Sequence, residues 1–169
     1  MTLEHSELDR GQVEAQLDRP LRGRWAVAAR CHLGVPMAIE NHPRLDDGSP
    51  FPTLYWLTCP VLIKRASKLE STGWMQELTE ELGSSDSFRS SEGLRDRFAA
   101  AIERYLSRRD EYERIEDPGA TPGGGPERVK CLHAHLAHQL AGGQNPVGAR
   151  TLAATGWPDC RLPCVGENE

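Results

Sequence analysis

The sequence predicts an α+β fold, a small β-sheet drawn from the N-terminal third and packed against several α-helices. Three observations predict it. Apolar, aromatic and β-branched runs bounded by turn formers crowd between about residues 24 and 59. Apolar residues at helical spacing recur from about 61 to 154. A chain of 169 residues with 38% hydrophobic content is large enough to bury one core without disulfide staples, so 1–169 is expected to be a single domain.

In chain order, Glu7 to Asp18 sets Leu8, Val13 and Leu17 among charges, a short amphipathic helix stopped by Pro20. Trp25-Ala26-Val27-Ala28-Ala29-Arg30-Cys31 and Met37-Ala38-Ile39, separated by Gly34 and Pro36, read as two adjacent strands. Pro43 to Pro52, with Asp46-Asp47-Gly48, reads as a surface loop; an Asp-Asp-Gly turn explains its two carboxylates without a metal. Thr53-Leu54-Tyr55-Trp56-Leu57-Thr58, closed by Cys59-Pro60, is the clearest strand. Helices are expected over 61–73, stopped by Gly73, then 75–82, and then about 91–113, where Leu94, Phe98, Ile102, Tyr105 and Leu106 form a stripe. Asp117 to Pro126, rich in glycine and proline, reads as a flexible connection; Gly123-Gly124-Gly125 lacks the Lys-Ser/Thr of a phosphate loop. Helices over 127–140 and 147–154 complete the pattern, followed by an irregular, cysteine-containing tail from 155 to 169.

A net charge of −5 implies no broad basic face, so nucleic acid is not an expected partner. No apolar run approaches the ~20 residues of a membrane helix, and no apolar segment marks the first ten residues. A cytoplasmic protein is therefore expected. There the five cysteines would serve as thiols or ligands and not as disulfides.

Residues 128–140 carry the most chemistry. At ~100° per residue a continuous helix puts Val129, Leu132, Leu136 and Leu140 on one side. Cys131, His135 and His138 then fall on the other within about 60°, and His133 beside the apolar stripe. Cys131 with His135, or His135 with His138, could share an ion, and His133, His135 and His138 are candidate acids and bases. The plainer reading makes His133 a half-buried histidine on a carbonyl, and His135 and His138 solvent-facing. Cys31 ends the first strand, Cys59 the last, and Cys160 and Cys164 sit in the tail, where turning backbone usually presents ligands. Dispersed thiols of this kind suit an iron-sulfur cluster or zinc, the spacing not deciding between them.

Arg30-Cys31 with Gly34 and Pro36, Pro50-Phe51-Pro52-Thr53 through Cys59-Pro60, Arg128-Val129-Lys130-Cys131-Leu132-His133, and Asn145-Pro146-Val147-Gly148 together resemble the bacterial domain of unknown function 501 family, over about Leu17 to Cys164. The resemblance implies a cytoplasmic bacterial protein without an established activity. It also implies an association with septum-formation and exopolyphosphatase genes. Cys31, Cys59 and Cys131 each fall in one of its blocks, which points to these three, with Cys164 or Cys160 as fourth ligand.

Three functions follow as expectations. The first is a metal or iron-sulfur protein holding its centre on Cys31, Cys59, Cys131 and Cys164 or Cys160, with the histidines tuning it. The second is a metal-free enzyme with Cys131 or Cys59 as nucleophile, a histidine as base, and Arg30, Arg44, Lys64 and Arg65 binding a small anionic substrate. The third is an interaction module for a protein partner in cell-division or polyphosphate machinery, using the stripe from Leu94 to Leu106.

Overall fold

A computed structural model of the chain describes residues 3–84, 93–115 and 121–165. The α+β expectation holds: among the described residues there are three antiparallel strands in the N-terminal part and six α-helices. Helix α1 (Glu7–Leu17) opens with a capping box, Ser6 Oγ accepting from Asp9 N and the Asp9 carboxylate accepting from Ser6 N. It precedes β1 (Trp25–Arg30), β2 (Pro36–Asn41) and β3 (Tyr55–Leu57), in spatial order β1-β2-β3. The third strand spans three of the six residues expected.

The strict alternation of strand side chains decides what each face meets. Ala38 pairs with Leu57 and Glu40 with Tyr55, facing the main helical core, whereas Ile39 and its partner Trp56 face the other way. On that second face Trp25, Ile39 and Val13 of α1 bury one another, with Leu17, Val27 and Trp56 around them.

Helix α2 (Pro60–Glu70) starts with proline at its first position, where a missing N–H costs nothing, and Cys59 is its N-cap residue. It is followed by α3 (Trp74–Gly83) and α4 (Leu94–Asp110). The 91–113 expectation shortens to α4; Ser91 lies outside the described residues. Leu94, Phe98, Ile102 and Tyr105 are all buried, so the stripe offered as a partner-binding face is core. Tyr105 Oη accepts from Leu54 N at 2.6 Å, tying this helix to the entry of β3.

Two expectations about the C-terminal third need correction. Of the supposedly flexible connection 117–126, residues 117–120 lie outside the described residues, but Pro122–Gly124 forms a 3-10 turn packed into the core, with Pro122 buried. Its glycines are required by close approach. A Cβ on Gly123 would stand 2.5 Å from His135 Nε2, and one on Gly125 2.6 Å from Ile102 Cδ1. The helix expected from Glu127 begins only at Leu132, as α5 (Leu132–Leu140). Residues before it are not helical, Glu127 lying in a turn and Lys130 N donating to Gly123 O at 2.6 Å and Val129 N to Thr79 Oγ1 at 3.0 Å, so tertiary pairing overrides their helix propensity. Helix α6 (Pro146–Thr155) is capped by Asn145, whose Oδ1 accepts from Gly148 N.

Helix α5 is the centre of the fold. It packs against β3, β2, α2 and α6, and the chain from Cys131 through Ala149 holds no Asp, Glu, Lys or Arg, as suits a largely buried helix. Among the described residues no helix is long and apolar enough to cross a membrane.

Candidate functional site

The five cysteines divide between two places. Cys31 begins the tight turn joining β1 to β2, its N–H donating to Val35 O at 2.9 Å. Cys59 follows β3, fixed by its N–H and that of Thr58 on Met37 O. The irregular tail returns across both, held by Arg65 donating to Thr155 O at 3.1 Å and by a bond of His32 Nε2 to Cys160 O at 2.9 Å. Cys31, Cys59, Cys160 and Cys164 consequently line one pocket, together with Val35, Met37, Val61 and Pro163. Gln16 of α1 reaches the same pocket, its Nε2 3.5 Å from Cys164 Sγ.

The surroundings of Cys59 favour its neutral thiol. Burial in apolar surroundings pushes the Cys59 thiol up, the N–H groups of Val61 and Leu62 at the start of α2 oppose the rise, and the Cys164 and Cys160 thiols add to it. A bound cation would reverse that balance by deprotonating the thiols outright. Tetrahedral zinc, with bonds of about 2.3 Å to sulfur, would set four sulfurs about 3.8 Å apart. Among the described residues no three of these four sulfurs lie within 4.8 Å of one another. The space they enclose is small, about 10 Å³, and Cys164 stands exposed at its rim, so a larger guest would seat by lifting the tail.

Cys131 does not belong with them, which corrects the expected set of Cys31, Cys59 and Cys131. Helix α2 carries Cys59 just before its first residue and Glu70 as its last, a separation of roughly 16 Å at 1.5 Å per residue. Cys131 is at the Glu70 end. It is the N-cap residue of α5, and its Sγ, a carboxylate oxygen of Glu70 and a ring nitrogen of His133 all lie within 4.8 Å of one another, each half-buried. Glu70 Oε1 accepts from Leu132 N at 2.6 Å and lies 3.0 Å from His133 Nδ1, while His133 Nε2 lies 3.1 Å from Ile63 O and 3.2 Å from Ser67 Oγ. Contact with Cys131, and after it the charge of Glu70, pushes the His133 imidazole up to about 9 against the cost of burial. Cys131 and His133 face a cleft of about 330 Å³ whose other walls include Phe51, Tyr55 and Trp56.

His135 and His138 are in neither place. Both are buried, and one side chain, Asn145, lies between them, its Nδ2 3.2 Å from each Nδ1. His135 Nε2 reaches Gly123 O at 3.2 Å. With Nδ1 accepting from Asn145, that ring carries its hydrogen on Nε2 and is neutral. Burial draws both imidazoles down to about 4, helped at His138 by His135 and Arg104. They face Phe98, Tyr55 and Tyr105 rings and not solvent, because α5 has no solvent-facing side there. The expected grouping of Cys131 with His135 and His138 assumed a helix already running at residue 128.

The basic residues expected to bind an anion do not converge. Arg30 pairs with Asp9 at 2.7 Å, Arg44 with Glu113 at 2.6 Å, and Arg65 pins the tail, its NH2 3.4 Å from Asp159. Lys64 is an exposed position on α2. Glu70 was missed in the sequence, where it reads as an ordinary carboxylate ending a helix.

The fold and its two cysteine-bearing pockets define an α+β protein organised around one central helix without Asp, Glu, Lys or Arg. The chain belongs to the family described as "Protein of unknown function (DUF501)", whose model matches residues 27–153. The matched stretch contains Cys31, Cys59, Glu70, Cys131 and His133; Cys160 and Cys164 lie beyond it. No curated protein and no solved structure matches the chain.

Proposed function

We propose that the protein is an iron-sulfur protein whose cluster is held by Cys31, Cys59, Cys160 and Cys164. The single observation that supports this reading is the convergence of four thiols, from a hairpin turn, a helix N-cap and a tail more than a hundred residues away in sequence, on one pocket. Four cysteine thiolates are the usual ligand set of such clusters. A multi-iron core spreads its ligands more widely than one zinc ion does, and among the described residues no three of these sulfurs come within 4.8 Å of one another, against about 3.8 Å in a zinc tetrahedron. The N–H groups at the start of α2 face Cys59, and Gln16 Nε2 reaches Cys164; hydrogen bonds to ligand sulfurs set a cluster's potential. Free thiols of this kind suit a reducing compartment such as the cytoplasm.

The test is anaerobic purification of the full chain with measurement of iron, inorganic sulfide and zinc per chain. Brown protein with stoichiometric iron and sulfide is expected, bleached by Cys31→Ser or Cys59→Ser and unchanged in Cys131→Ser. Zinc at one per chain, lost in the same variants, would keep the four-thiolate centre but refute the cluster. Metal-free protein would refute both.

A further inference from the structure

We infer that Glu70, Cys131 and His133 form a second, independent metal site, taking one zinc-type divalent ion whose fourth coordination position opens on the aromatic cleft. The three donors are of the right kinds, one thiolate, one imidazole and one carboxylate, and a tetrahedral ion would need them about 3.4–3.6 Å apart. They stand within 4.8 Å of one another as they are, with His133 Nδ1 and Glu70 Oε1 at 3.0 Å, so each side chain needs only a small rotation to close on an ion.

Their surroundings fix the donors. Ile63 O, 3.1 Å from His133 Nε2, and the Glu70 carboxylate, 3.0 Å from Nδ1, both only accept, so the metal-free ring carries hydrogen on both nitrogens; an ion would displace the Nδ1 proton, and Nε2–H would stay on Ile63 O. A backbone carbonyl behind a ligating imidazole is the usual means of setting its tautomer and orientation. Leu132 N, at the first position of α5, donates to Glu70 Oε1 at 2.6 Å and holds the carboxylate in the same way. Two rigid helices, α2 and α5, thus present the donors, with Cys131 on the N-cap and His133 in the first turn of α5.

The geometry also leaves a vacancy on one side. Cys131 and His133 line the 330 Å³ cleft with Phe51, Thr53, Tyr55 and Trp56, whereas Glu70 is not among its walls. An ion bound by all three would turn its remaining position toward the cleft, where water or a donor atom of a ligand with an apolar or aromatic body could sit. Three protein ligands and one open position is the pattern of zinc sites that act on ligands, in contrast to the closed four-ligand structural kind.

This inference does not depend on the cluster proposed above, and the experiment separates the two. It uses the full chain with Cys160→Ser and Cys164→Ser, substitutions confined to the irregular tail, stripped with chelator and titrated with Co²⁺. The expected result is one Co²⁺ per chain, with the visible bands of a tetrahedral ion and a sulfur-to-metal charge-transfer band. Cys131→Ser added to this background should abolish the charge-transfer band, and Glu70→Gln should weaken Co²⁺ binding at least tenfold. Glu70→Gln keeps an oxygen for Leu132 N, and circular dichroism verifies that it folds. No stoichiometric Co²⁺, a charge-transfer band that survives Cys131→Ser, or affinity indifferent to Glu70→Gln would each overturn the inference. Loss of iron in the tail variant bears only on the cluster.

Discussion

Asn145 is the residue whose replacement tests the architecture of the central helix most directly. It is fully buried, caps α6 through Oδ1, and donates through Nδ2 toward the Nδ1 atoms of both His135 and His138. Asn145→Ala removes all of these at once. Loss of the cap costs about 1 kcal/mol. Each imidazole left with an unsatisfied buried nitrogen costs about 1–3 kcal/mol. The expected destabilisation is therefore about 3–7 kcal/mol, on the scale of a broken buried network. Asn145→Asp separates the two roles, since it keeps an acceptor for Gly148 N but supplies no donor to the rings. Urea unfolding of the three proteins at pH 7.5, followed by far-ultraviolet circular dichroism, measures both differences. A loss below about 1 kcal/mol in Asn145→Ala would mean that the cap alone is felt, and the bridging role would have to be abandoned.

Two further outcomes follow from the same region. Gly143→Ala should destabilise by at least about 2 kcal/mol, because its Cβ would stand 1.9 Å from the His138 ring and 2.7 Å from His138 O, and overpacking a core costs on that scale. Gly142→Ala, with no atom within 4 Å but a φ of +83°, should cost only about 1 kcal/mol, and thermal unfolding that ranked the pair the other way would contradict the packing. The buried neutral His138 also gives stability a pH dependence. Its folded value, about 4, is below the 6.5 of the unfolded chain, so the unfolded state takes up the proton first. The stabilisation is complete above pH 6.5 and is lost as pH falls toward 4, at up to about 1.4 kcal/mol per pH unit. A denaturant series over that interval that shows no fall would place the ring in contact with water.

Much of the fold was legible in the sequence because it rests on periodicity. The stripe Leu94, Phe98, Ile102, Tyr105 and the alternation through Tyr55-Trp56-Leu57 survive folding unchanged. What escaped was set by tertiary contact. Nothing local distinguishes Glu127 to Lys130 from the first turn of a helix; their non-helical course goes with the bonds of Lys130 N to Gly123 O and of Val129 N to Thr79 Oγ1. Nothing local shows that the glycines of residues 123–125 are packed against His135, Lys130 and Ile102, so they resemble a linker. The burial of His135 and His138, by contrast, left a signal that was there to read: the absence of Asp, Glu, Lys and Arg from Cys131 through Ala149 is hard to reconcile with a solvated helix face.

The cysteines show how a single helix can decide a site. From the sequence, thiols at strand ends and in the tail could all converge, and four of the five do. What removes Cys131 is the length of α2, which separates Cys59 at its start from Glu70 at its end by roughly 16 Å, too far for one metal centre to span. The Glu70 end then meets the N-terminus of α5, where Cys131 and His133 stand in a half-buried setting with a carboxylate at hand. The buried Asn145 network and the close contact of Gly148 with His135 O fix α5 against α6, and so fix the direction in which Cys131 and His133 leave the core. A defect at Asn145 should accordingly loosen the Glu70 cluster before it disturbs the four-thiol pocket, whose walls are the β1–β2 turn, the start of α2 and the tail.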